Sequence, residues 1–349
     1  MIDNFINNTS SWLRADGPNP DIVISSRVRL ARNLSGLSFS HMDNEADMKK
    51  VVELVLDSIS KSSLLENYHK IDIDRLSNID KLFLVEKRLI SPEQTRGSNK
   101  YAAVNQDESV SIMINEEDHI RLQVVLSGLQ LGKAWETADS VDNELEKNLS
   151  YAFSEEWGYL TSCLTNTGTG LRASVMLHLA GLVITKQINK ILQAVSQLGL
   201  AIRGIYGEGT EALGNIFQIS NQVTLGGKEA DIISNISRLC EQLVEHEKNA
   251  RDTLMNDSKD YIEDKIFRAY GIFKNARIIS TIETIELLSD IRLGLSMGVL
   301  KDLSLYQLNK LFIITQPAYL QMLEGHEINS KLRDIKRADI IRQTLAGTE

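Results

Sequence analysis

The stretch Thr161–Ser174, TSCLTNTGTGLRAS, brings together a thiol, small polar residues, two glycines and a guanidinium. Cys163 and Arg172 lie on either side of the glycines, and the segment after Arg172 up to Thr185 contains no Asp, Glu, Lys or Arg. A polar, glycine-bearing loop that enters an apolar segment is typical of a site loop leading into a buried element. Its backbone N–H groups could face a ligand. A turn with a structural, buried cysteine fits the stretch alone equally well.

A second basic segment is Asp21–Asn33, DIVISSRVRLARN, which begins with a strand-like apolar run. Arg27 and Arg29 are two residues apart and would share one face of a strand. Two neighbouring guanidiniums repel each other unless an anion lies between them, and phosphate oxygens match their planar geometry. The segment therefore indicates an anion site. The alternative is a solvated edge strand whose basic residues prevent aggregation.

Two further segments carry carboxylates. Asn115–Arg121, NEEDHIR, separates the predicted strands Val110–Ile114 and Arg121–Ser127, whereas a solvated turn would more usually carry Gly, Asn or Pro. Ala201–Glu211, AIRGIYGEGTE, reads as a short strand that enters a glycine-rich loop with Glu208. Both segments are therefore candidates for a reacting site.

Guanidiniums from separate segments could together bind a triphosphate, because phosphoryl transfer requires mainly positioning and charge neutralisation. The arginines at predicted loop or strand-end positions are Arg27, Arg29, Arg88, Arg121, Arg172 and Arg203. GLQLGKA (residues 128–134) has the wrong spacing for a P-loop, and GTGLRA (168–173) lacks a downstream acid for a ribose hydroxyl. With no HExxH and no paired CxxC, a structural or catalytic zinc site is not expected, and no side chain is assigned to a metal.

Composition limits the class of protein. The chain has 349 residues and a net charge of −9, so general nucleic-acid binding is not expected. Two cysteines, Cys163 and Cys240, fit a reducing compartment better than a disulfide framework. Residues 1–11 lack the apolar core of a secretory signal, and no apolar run is long enough to span a membrane. These features predict a cytoplasmic protein without a membrane partner.

The order of predicted elements suggests two domains after an N-terminal extension of residues 1–20. Residues 21–250 mix strands and helices, including a surface helix over Asp43–Ser60 and an apolar strand at the start of Lys81–Pro92, with Arg88 near its end. Residues 251–349 have apolar positions three and four apart almost throughout, which indicates an all-helical second domain.

Four of these segments resemble the catalytic domain of the phosphagen (guanidino) kinases in sequence, order and spacing: Ser25–Arg32, Asn115–Arg121, Thr161–Ser174 and Arg203–Glu211. More closely, the chain resembles the bacterial protein-arginine kinases of stress response and protein quality control. The helical N-terminal domain of the small-molecule enzymes is missing, and Lys331–Arg342, KLRDIKRADIIR, resembles an RDxxRA phosphoarginine-binding motif. The resemblance implies an α+β fold, an antiparallel sheet flanked by helices, followed by an all-helical domain.

The resemblance also implies roles for individual residues, with ATP as the donor and Mg²⁺ bridging its phosphates. Glu117 would be the catalytic base, Glu208 a second carboxylate that clamps the guanidinium, and Cys163 a thiolate near the substrate. The implied nucleotide-binding residues are Ser25, Ser26, Arg27, Val28, Arg29, Arg88, Arg121, Arg172, Ala173, Ser174, Val175, Met176, Arg203, Gly204, Ile205, Tyr206, Gly207 and Glu208.

The chemistry of the acceptor agrees with such a site. A guanidinium has a pKa above about 12 and is a poor nucleophile, so it must lose a proton as the N–P bond forms. Two carboxylates can hold it in line with the γ-phosphorus, and one of them can accept the proton.

In the C-terminal region, Arg333, Asp334 and Arg337 would share one helical face. The resemblance implies an allosteric phosphoarginine site there, whereas an ordinary surface ion pair is the alternative. Apolar helical faces in residues 250–325 could form a homodimer interface. Implied partners are protein substrates carrying arginine, a zinc-binding activator protein and a Clp-type protease.

The expected reaction is transfer of the γ-phosphoryl group of ATP to arginine side chains of proteins. Two alternatives remain open from the sequence: a kinase for free arginine or another small guanidino compound, and an adaptor that binds phosphoarginine without catalysis.

Overall fold

The computed structural model describes residues 2–42, 44–204 and 212–347. Its strands are β1 (Val23–Arg32), β2 (His69–Asp72), β3 (Tyr101–Val104), β4 (Val110–Ile114), β5 (Ile120–Ser127), β6 (Phe153–Ser154), β7 (Gly158–Tyr159), β8 (Leu171–His178), β9 (Leu200–Gly204) and β10 (Ile216–Asn221). Its helices are α1 (Asp3–Asn7), α2 (Glu45–Lys61), α3 (Asn78–Glu86), α4 (Leu131–Glu146), α5 (Ala180–Ile184), α6 (Ile188–Gln197), α7 (Glu229–Asp257), α8 (Lys259–Asn275), α9 (Thr281–Ser296), α10 (Leu305–Ile314), α11 (Pro317–Glu324) and α12 (Ser330–Ala346).

An eight-stranded antiparallel sheet in the order β2-β3-β4-β5-β1-β8-β10-β9 forms the centre of the described chain. The predicted α+β fold with an antiparallel sheet and flanking helices is confirmed. Strand β1 pairs with β5 on one side and β8 on the other. It is therefore a central strand, and the alternative of a solvated edge strand is wrong.

The described residues form two hydrophobic cores, and the first of them lies against one apolar face of the sheet. Val28 and Leu30 of β1 point to this face, where they are fully buried with Leu122, Val124 and other apolar side chains of the neighbouring strands. Helices α2, α4 and α7 cover them with apolar residues at helical spacing, as the sequence pattern of the surface helix predicts. This packing fixes which residues of β1 point the other way.

A second core joins the N-terminal segment, α3 and the C-terminal helices to the opposite face of the sheet. Trp12 and Phe5 from the N-terminal segment are buried there with Phe83 of α3 and with apolar residues of α8 to α12. Val125 and Met176 of the sheet belong to the same cluster. The C-terminal helices therefore cover part of the face that carries Arg27, and the rest of that face stays open for a ligand.

The predicted strand at the start of Lys81–Pro92 is wrong, because residues 78–86 form helix α3. Ser77 and Asp80 form a capping box at its N-terminus, each accepting a backbone N–H of the other. The capping box fixes a helical start. The apolar run KLFLV then lies on a helix that buries Phe83 and Leu84, which are adjacent in sequence and do not alternate as in a strand.

A buried ion pair anchors the thiol loop to α4. The guanidinium of Arg32 donates to Asp142 at 2.9 and 2.7 Å and to the carbonyl of Thr169 at 3.0 Å, and it lies 3.5 Å from the ring centre of Tyr159. Gly170 has φ +64°, and a Cβ on it would lie 2.5 Å from Nη1 of Arg32. The loop therefore needs glycine at this position to pass over the ion pair.

We expect Asp142→Asn to destabilise the fold by about 3 kcal/mol, because it leaves the charge of Arg32 buried without its partner. Denaturant unfolding followed by circular dichroism measures this. Asp139→Asn on the same helix is the control, with an expected change below about 0.5 kcal/mol. Equal stability of the two variants would contradict a structural role for the pair.

Candidate functional site

The strand register places the predicted arginines on one face of the sheet. Arg27 and Arg29 of β1 alternate with core residues, and Arg29 lies directly opposite Arg172 of β8. Arg121 of β5 lies opposite Ala31, one pleat further along the same face. Directly opposed like charges destabilise a sheet. Their retention on one face therefore indicates a site for an anion.

Arg27 is held by polar neighbours that share this face. Its Nε donates to the hydroxyl of Ser174 at 3.3 Å and its Nη2 to Oε1 of Gln218 at 3.0 Å. Arg203, an exposed residue of β9, lies opposite Gln218 and so faces the same way. Gln218 is not among the residues predicted from the sequence. The alternation of Gln218, Ile219 and Ser220 in β10 was the signal that could have found it.

The arginine face has an unbalanced positive charge. Burial, followed by repulsion from Arg88, Arg121 and Arg172, lowers the pKa of Arg27 to about 9. Burial and the charges of the same cluster also lower the pKa of Arg29 well below its ordinary value. The Nε atoms of Arg29 and Arg172 are buried and have no hydrogen-bond partner. A ligand with several negative oxygens would relieve both the repulsion and the missing hydrogen bonds.

A cavity of about 190 Å³ lies beside these arginines. Its wall includes Arg29, Arg121 and Arg172, and also Glu117 and Cys163 from the two predicted site loops. Segments that are far apart in the sequence therefore meet at one cavity, as the sequence analysis expects.

Glu116 neutralises one of the arginines. Nη1 of Arg121 lies 2.6 and 2.7 Å from its two carboxylate oxygens, and Ser91 also donates to it. Burial opposes ionisation of Glu116, but the charge of Arg121 and these hydrogen bonds outweigh it and lower the pKa of Glu116. Glu116 is therefore an ionised partner that orients Arg121.

Glu117 is exposed at the cavity, and its pKa is shifted in the opposite direction to that of Glu116. Partial burial, followed by the negative charges of Asp118 and Glu116, raises its pKa, while Arg121 and a hydrogen bond with Cys163 act in the opposite direction. A carboxylate with a raised pKa is a better proton acceptor than an ordinary glutamate.

The loop Asn115–Arg121 is held by hydrogen bonds of Asp118, which lines the cavity, and of His119, which is buried. Asp118 accepts a hydrogen bond from Nδ2 of Asn33 at 2.7 Å and from the backbone N–H of Ser162 at 2.6 Å. His119 is buried and its Nδ1 accepts the backbone N–H of Leu34 at 2.9 Å. Asp118 thus links the carboxylate loop to the thiol loop.

The thiol loop supplies Cys163, whose Sγ lies 3.0 Å from the hydroxyl of Thr165. Cys163 is half-buried, in contrast to Cys240, which is fully buried in the core. The backbone N–H of Gly168 donates to the carbonyl of Tyr159 at 3.2 Å. The expectation that the loop offers free N–H groups to a ligand is therefore wrong at Gly168.

Arg88 occupies an unusual backbone position at the end of α3. The N–H of Leu89 bonds to the carbonyl of Leu84 and the N–H of Arg88 to that of Val85, which is the Schellman pattern. Arg88 has φ +63° at the position where glycine is usual. A non-glycine residue there stores backbone strain of about 1–2 kcal/mol, which favours a functional side chain.

Other predicted nucleotide-binding residues lie beside this face or behind it. Ser25 and Met176 are buried at the covered end of the arginine face, and Gly204 ends β9. The side chains of Ser26, Val28, Ala173 and Val175 point to the opposite side of the sheet and do not line the cavity. Ile205, Tyr206, Gly207 and Glu208 lie outside the described residues.

The C-terminal motif lies on helix α12. Arg337 is 1% exposed, and its guanidinium donates to the carbonyls of Thr315 and Ile279 and to Asp334 at 2.5 Å. Arg333 is half-buried and donates to the carbonyl of Ile328. The alternative of an ordinary surface pair is wrong for Arg337, because its guanidinium is buried.

No group of three or more metal-ligating side chains occurs in residues 2–42, 44–204 and 212–347. The buried carboxylates near the cavity are already engaged, Glu116 with Arg121 and Asp118 with Asn33 and Ser162. An ion whose ligands are mainly phosphate oxygens and water fits this donor set, and Mg²⁺ has that preference. None of the helices in these residues is long and apolar enough to cross a membrane.

The fold and the cavity correspond to a class of phosphotransferases. The sequence model of the family described as "ATP:guanido phosphotransferase, C-terminal catalytic domain" matches residues 47–250 of the chain. The match begins after β1, although that strand is central to the sheet and carries two of the arginines.

The helical remainder of the chain matches a more specific model, "Protein-arginine kinase McsB C-terminal domain", over residues 259–349. A protein-arginine kinase of Bacillus licheniformis is 47% identical over 99% of this chain and 96% of its own length. A protein-arginine kinase of Pelotomaculum thermopropionicum is 48% identical over 98% of each chain. The chain belongs to the protein-arginine kinase family.

Solved structures with a similar fold include a taurocyamine kinase and a lombricine kinase. A duplicated taurocyamine kinase of Schistosoma mansoni has a TM-score of 0.59 and 24% identity, over 71% of this chain and 37% of that one. A lombricine kinase has a TM-score of 0.59 and 22% identity, over 71% and 70% of the two chains. At this identity the similarity shows the fold alone.

We expect Arg29→Gln to stabilise the free protein, because it removes one charge from the repelling cluster. The melting temperature should rise by about 2 °C or more, while the affinity for ATP falls at least about tenfold. Thermal unfolding with and without ATP measures both effects. Arg75→Gln, at an exposed arginine that does not line the cavity, should change neither. A lower melting temperature for Arg29→Gln would contradict the unbalanced charge.

Proposed function

We propose that the protein transfers the γ-phosphoryl group of ATP to arginine side chains of proteins. The observation that carries this proposal is the arginine-lined cavity bordered by Glu117 and Cys163. Donor and acceptor would meet at its mouth, with the phosphates against the sheet and the incoming guanidinium against Glu117.

The nucleotide's phosphates are bound in this proposal by Arg27, Arg29, Arg121, Arg172 and Arg203, with Arg88 as a further contact. Rigid strands hold most of these side chains, so the positive charge is in place before the transition state forms. Mg²⁺, bound to the phosphates, would supply further charge neutralisation. Ser174 and Gln218 orient Arg27, and Glu116 orients Arg121.

The acceptor guanidinium is deprotonated by Glu117. Its raised pKa supports this role, and the hydrogen bond with Cys163 places the thiol beside the same proton. Cys163 would face the substrate beside Glu117. Glu208, the predicted second clamp, lies in the stretch outside the described residues and stays a prediction.

A second, larger cavity supports a protein as the acceptor. It has a volume of about 650 Å³, shares Glu117 with the arginine-lined cavity, and extends along Glu45 and Glu93. Pockets of this size hold drug-sized ligands. Because one arginine side chain would not fill it, it leaves room for residues that flank the arginine in a polypeptide.

The remaining parts of the proposal follow from the family. We divide the chain into a catalytic domain of residues 21–250 and a helical domain of residues 251–349. The helical domain carries a phosphoarginine site at Arg333, Asp334 and Arg337. Exposed apolar residues on its surface, among them Tyr261 and Phe267 of α8, support a homodimer interface. The enzyme would act in the cytoplasm in the stress response, with an activator protein and a Clp-type protease as partners.

We expect Glu117→Gln to lower kcat by about 10²- to 10⁴-fold, because the base is lost while the nucleotide site is intact. Mass spectrometry of N-phosphorylated arginine on an unfolded, arginine-rich protein with Mg-ATP measures the product. Glu53→Gln, at an exposed helix position, is the control and should keep full activity. Undiminished phosphorylation by Glu117→Gln would exclude this residue as the base.

The pH dependence of kcat/KM tests the same group. Glu117 is active when ionised, so the rate should rise with pH through the pKa of this carboxyl. Since burial and the neighbouring Asp118 and Glu116 raise that pKa, the acid limb should lie above the ordinary glutamate value of 4.5. Initial rates measured with alkaline quenching, which preserves the N–P bond, define the limb. A midpoint at or below 4.5 would contradict the assignment.

A further inference from the structure

The last residues of α3 connect three parts of the molecule. Glu86, Lys87 and Arg88 follow one another in the chain, yet each contacts a different region. Glu86 reaches the C-terminal helices, Lys87 reaches the N-terminal segment, and Arg88 lies beside the arginine face. A movement of any of these regions therefore acts on the same short segment.

Glu86 caps a helix that has no cap of its own. One carboxylate oxygen accepts the backbone N–H of Ala318 at 2.8 Å and the other accepts that of Tyr319 at 2.8 Å. These are N–H groups of the first turn of α11, whose N-cap residue Gln316 makes no side-chain hydrogen bond and whose first turn has no acidic residue. The carboxylate therefore satisfies both the unpaired donors and the positive end of the helix dipole.

The surroundings of Glu86 make this contact responsive to charge. Burial raises its pKa to about 7, against the opposing effects of the two N–H groups and of Arg337 and Arg333 on α12. On α3 itself, Phe83 packs against the ring of Tyr319 with 5.1 Å between ring centres. Helices α3 and α11 thus meet through apolar side chains and an ionisable carboxylate.

On the other side, the chain leads from Glu86 to Arg88 through a residue that is itself fixed. Nζ of Lys87 is buried, where it lies 2.8 Å from the carboxylate of Glu108 and 2.9 Å from the carbonyl of Asn8. Lys87 thus ties the end of α3 to the N-terminal segment, and Glu86 ties it to α11, so the position from which Arg88 follows is set by both contacts.

Arg88 is positioned by groups that belong to the sheet and the N-terminal segment. Its carbonyl accepts a hydrogen bond from Nε2 of Gln123 at 2.8 Å, and Gln123 lies opposite Arg29 in the sheet. Its guanidinium lies 5.4 Å from the ring centre of Trp12, and its charge lowers the pKa of Arg27. Arg88 is therefore at the edge of the arginine face, two residues from the carboxylate that caps α11.

We propose that Glu86 is a positioning residue for the nucleotide: by capping α11 it fixes the end of α3 and with it the guanidinium of Arg88. This inference rests on the proposed function, in which Arg88 contacts ATP. Through Glu86, the affinity for ATP depends on how the C-terminal helices dock against α3. None of the described residues of those helices lines the arginine-lined cavity.

The test is a double-mutant cycle with steady-state kinetics. Glu86→Gln keeps the size of the side chain but replaces one acceptor oxygen with a donor, and should raise KM for ATP about fivefold with kcat within about twofold. Arg88→Ala should raise KM at least as much. In the Arg88→Ala background, Glu86→Gln should add no further increase, because the residue that it positions is already gone.

Asp80→Asn is the matched control, because it weakens the capping box at the other end of α3 without touching α11. It should leave KM for ATP unchanged. If it raises KM as much as Glu86→Gln, or if the effects of Glu86→Gln and Arg88→Ala multiply, Glu86 acts through general stability and the proposal is wrong. Absence of phosphoarginine with the wild-type protein would instead refute the proposed function.

The pH dependence gives a second readout that a purely structural role would not produce. The charged groups acting on Glu86 are Arg333 and Arg337 of α12, and on α11 it meets the two backbone N–H groups. The ratio of KM for ATP between Glu86→Gln and the wild type should approach one below pH 7, where the wild-type carboxyl is protonated. A ratio independent of pH between 6 and 8 would count against the proposal.

Discussion

Mutual repulsion of guanidiniums on one face of a sheet is the constraint on which this structure depends. Because of the antiparallel register of β1 with β5 and β8, the side chains of Arg27, Arg29 and Arg172 all lie on the same face of the sheet. The sheet tolerates them because its opposite face is a buried apolar core covered by α4 and α7. The buried nitrogens without partners show that the free protein is not at its own optimum for stability. Such a face is preorganised for a multiply charged ligand.

The same constraint explains why two neighbouring glutamates differ. Glu116 lies next to Arg121 and is kept ionised, whereas Glu117 faces the cavity beside other acids and holds its proton more tightly. Electrostatic surroundings, rather than sequence position, thus separate an orienting carboxylate from a proton acceptor. The Asp118 contacts to Asn33 and Ser162 then keep the acceptor beside the thiol loop.

Much of this arrangement could be predicted from the sequence, because it is encoded in local patterns. Alternation within VISSRVRLAR places Arg27 and Arg29 on one face, and the polar cluster NEEDHIR stands out between apolar strands. Long-range partners have no such signal. Nothing in the sequence pairs Gln218 and Trp12 with particular arginines. They lie next to arginines only in the folded protein. The run KLFLV misled the prediction because its apolar residues fit a strand as well as a helix, and the capping box at Ser77 decided between them. The predicted nucleotide contacts of residues 205–208 stay predictions, and so does the predicted role of Glu208 as a clamp for the guanidinium.

The central place of β1 has a consequence for how the polypeptide reaches its native state. This strand is made early, yet its partners β5 and β8 are far along the chain, and β5 and β8 pair with it rather than with each other. Non-local strand pairing slows folding, and unpaired strands are exposed to aggregation meanwhile. One edge of β1 can therefore pair only after β5 has emerged from the ribosome, and the other edge only after β8 has emerged. An enzyme of this architecture would itself pass through a stage in which it needs protection by chaperones.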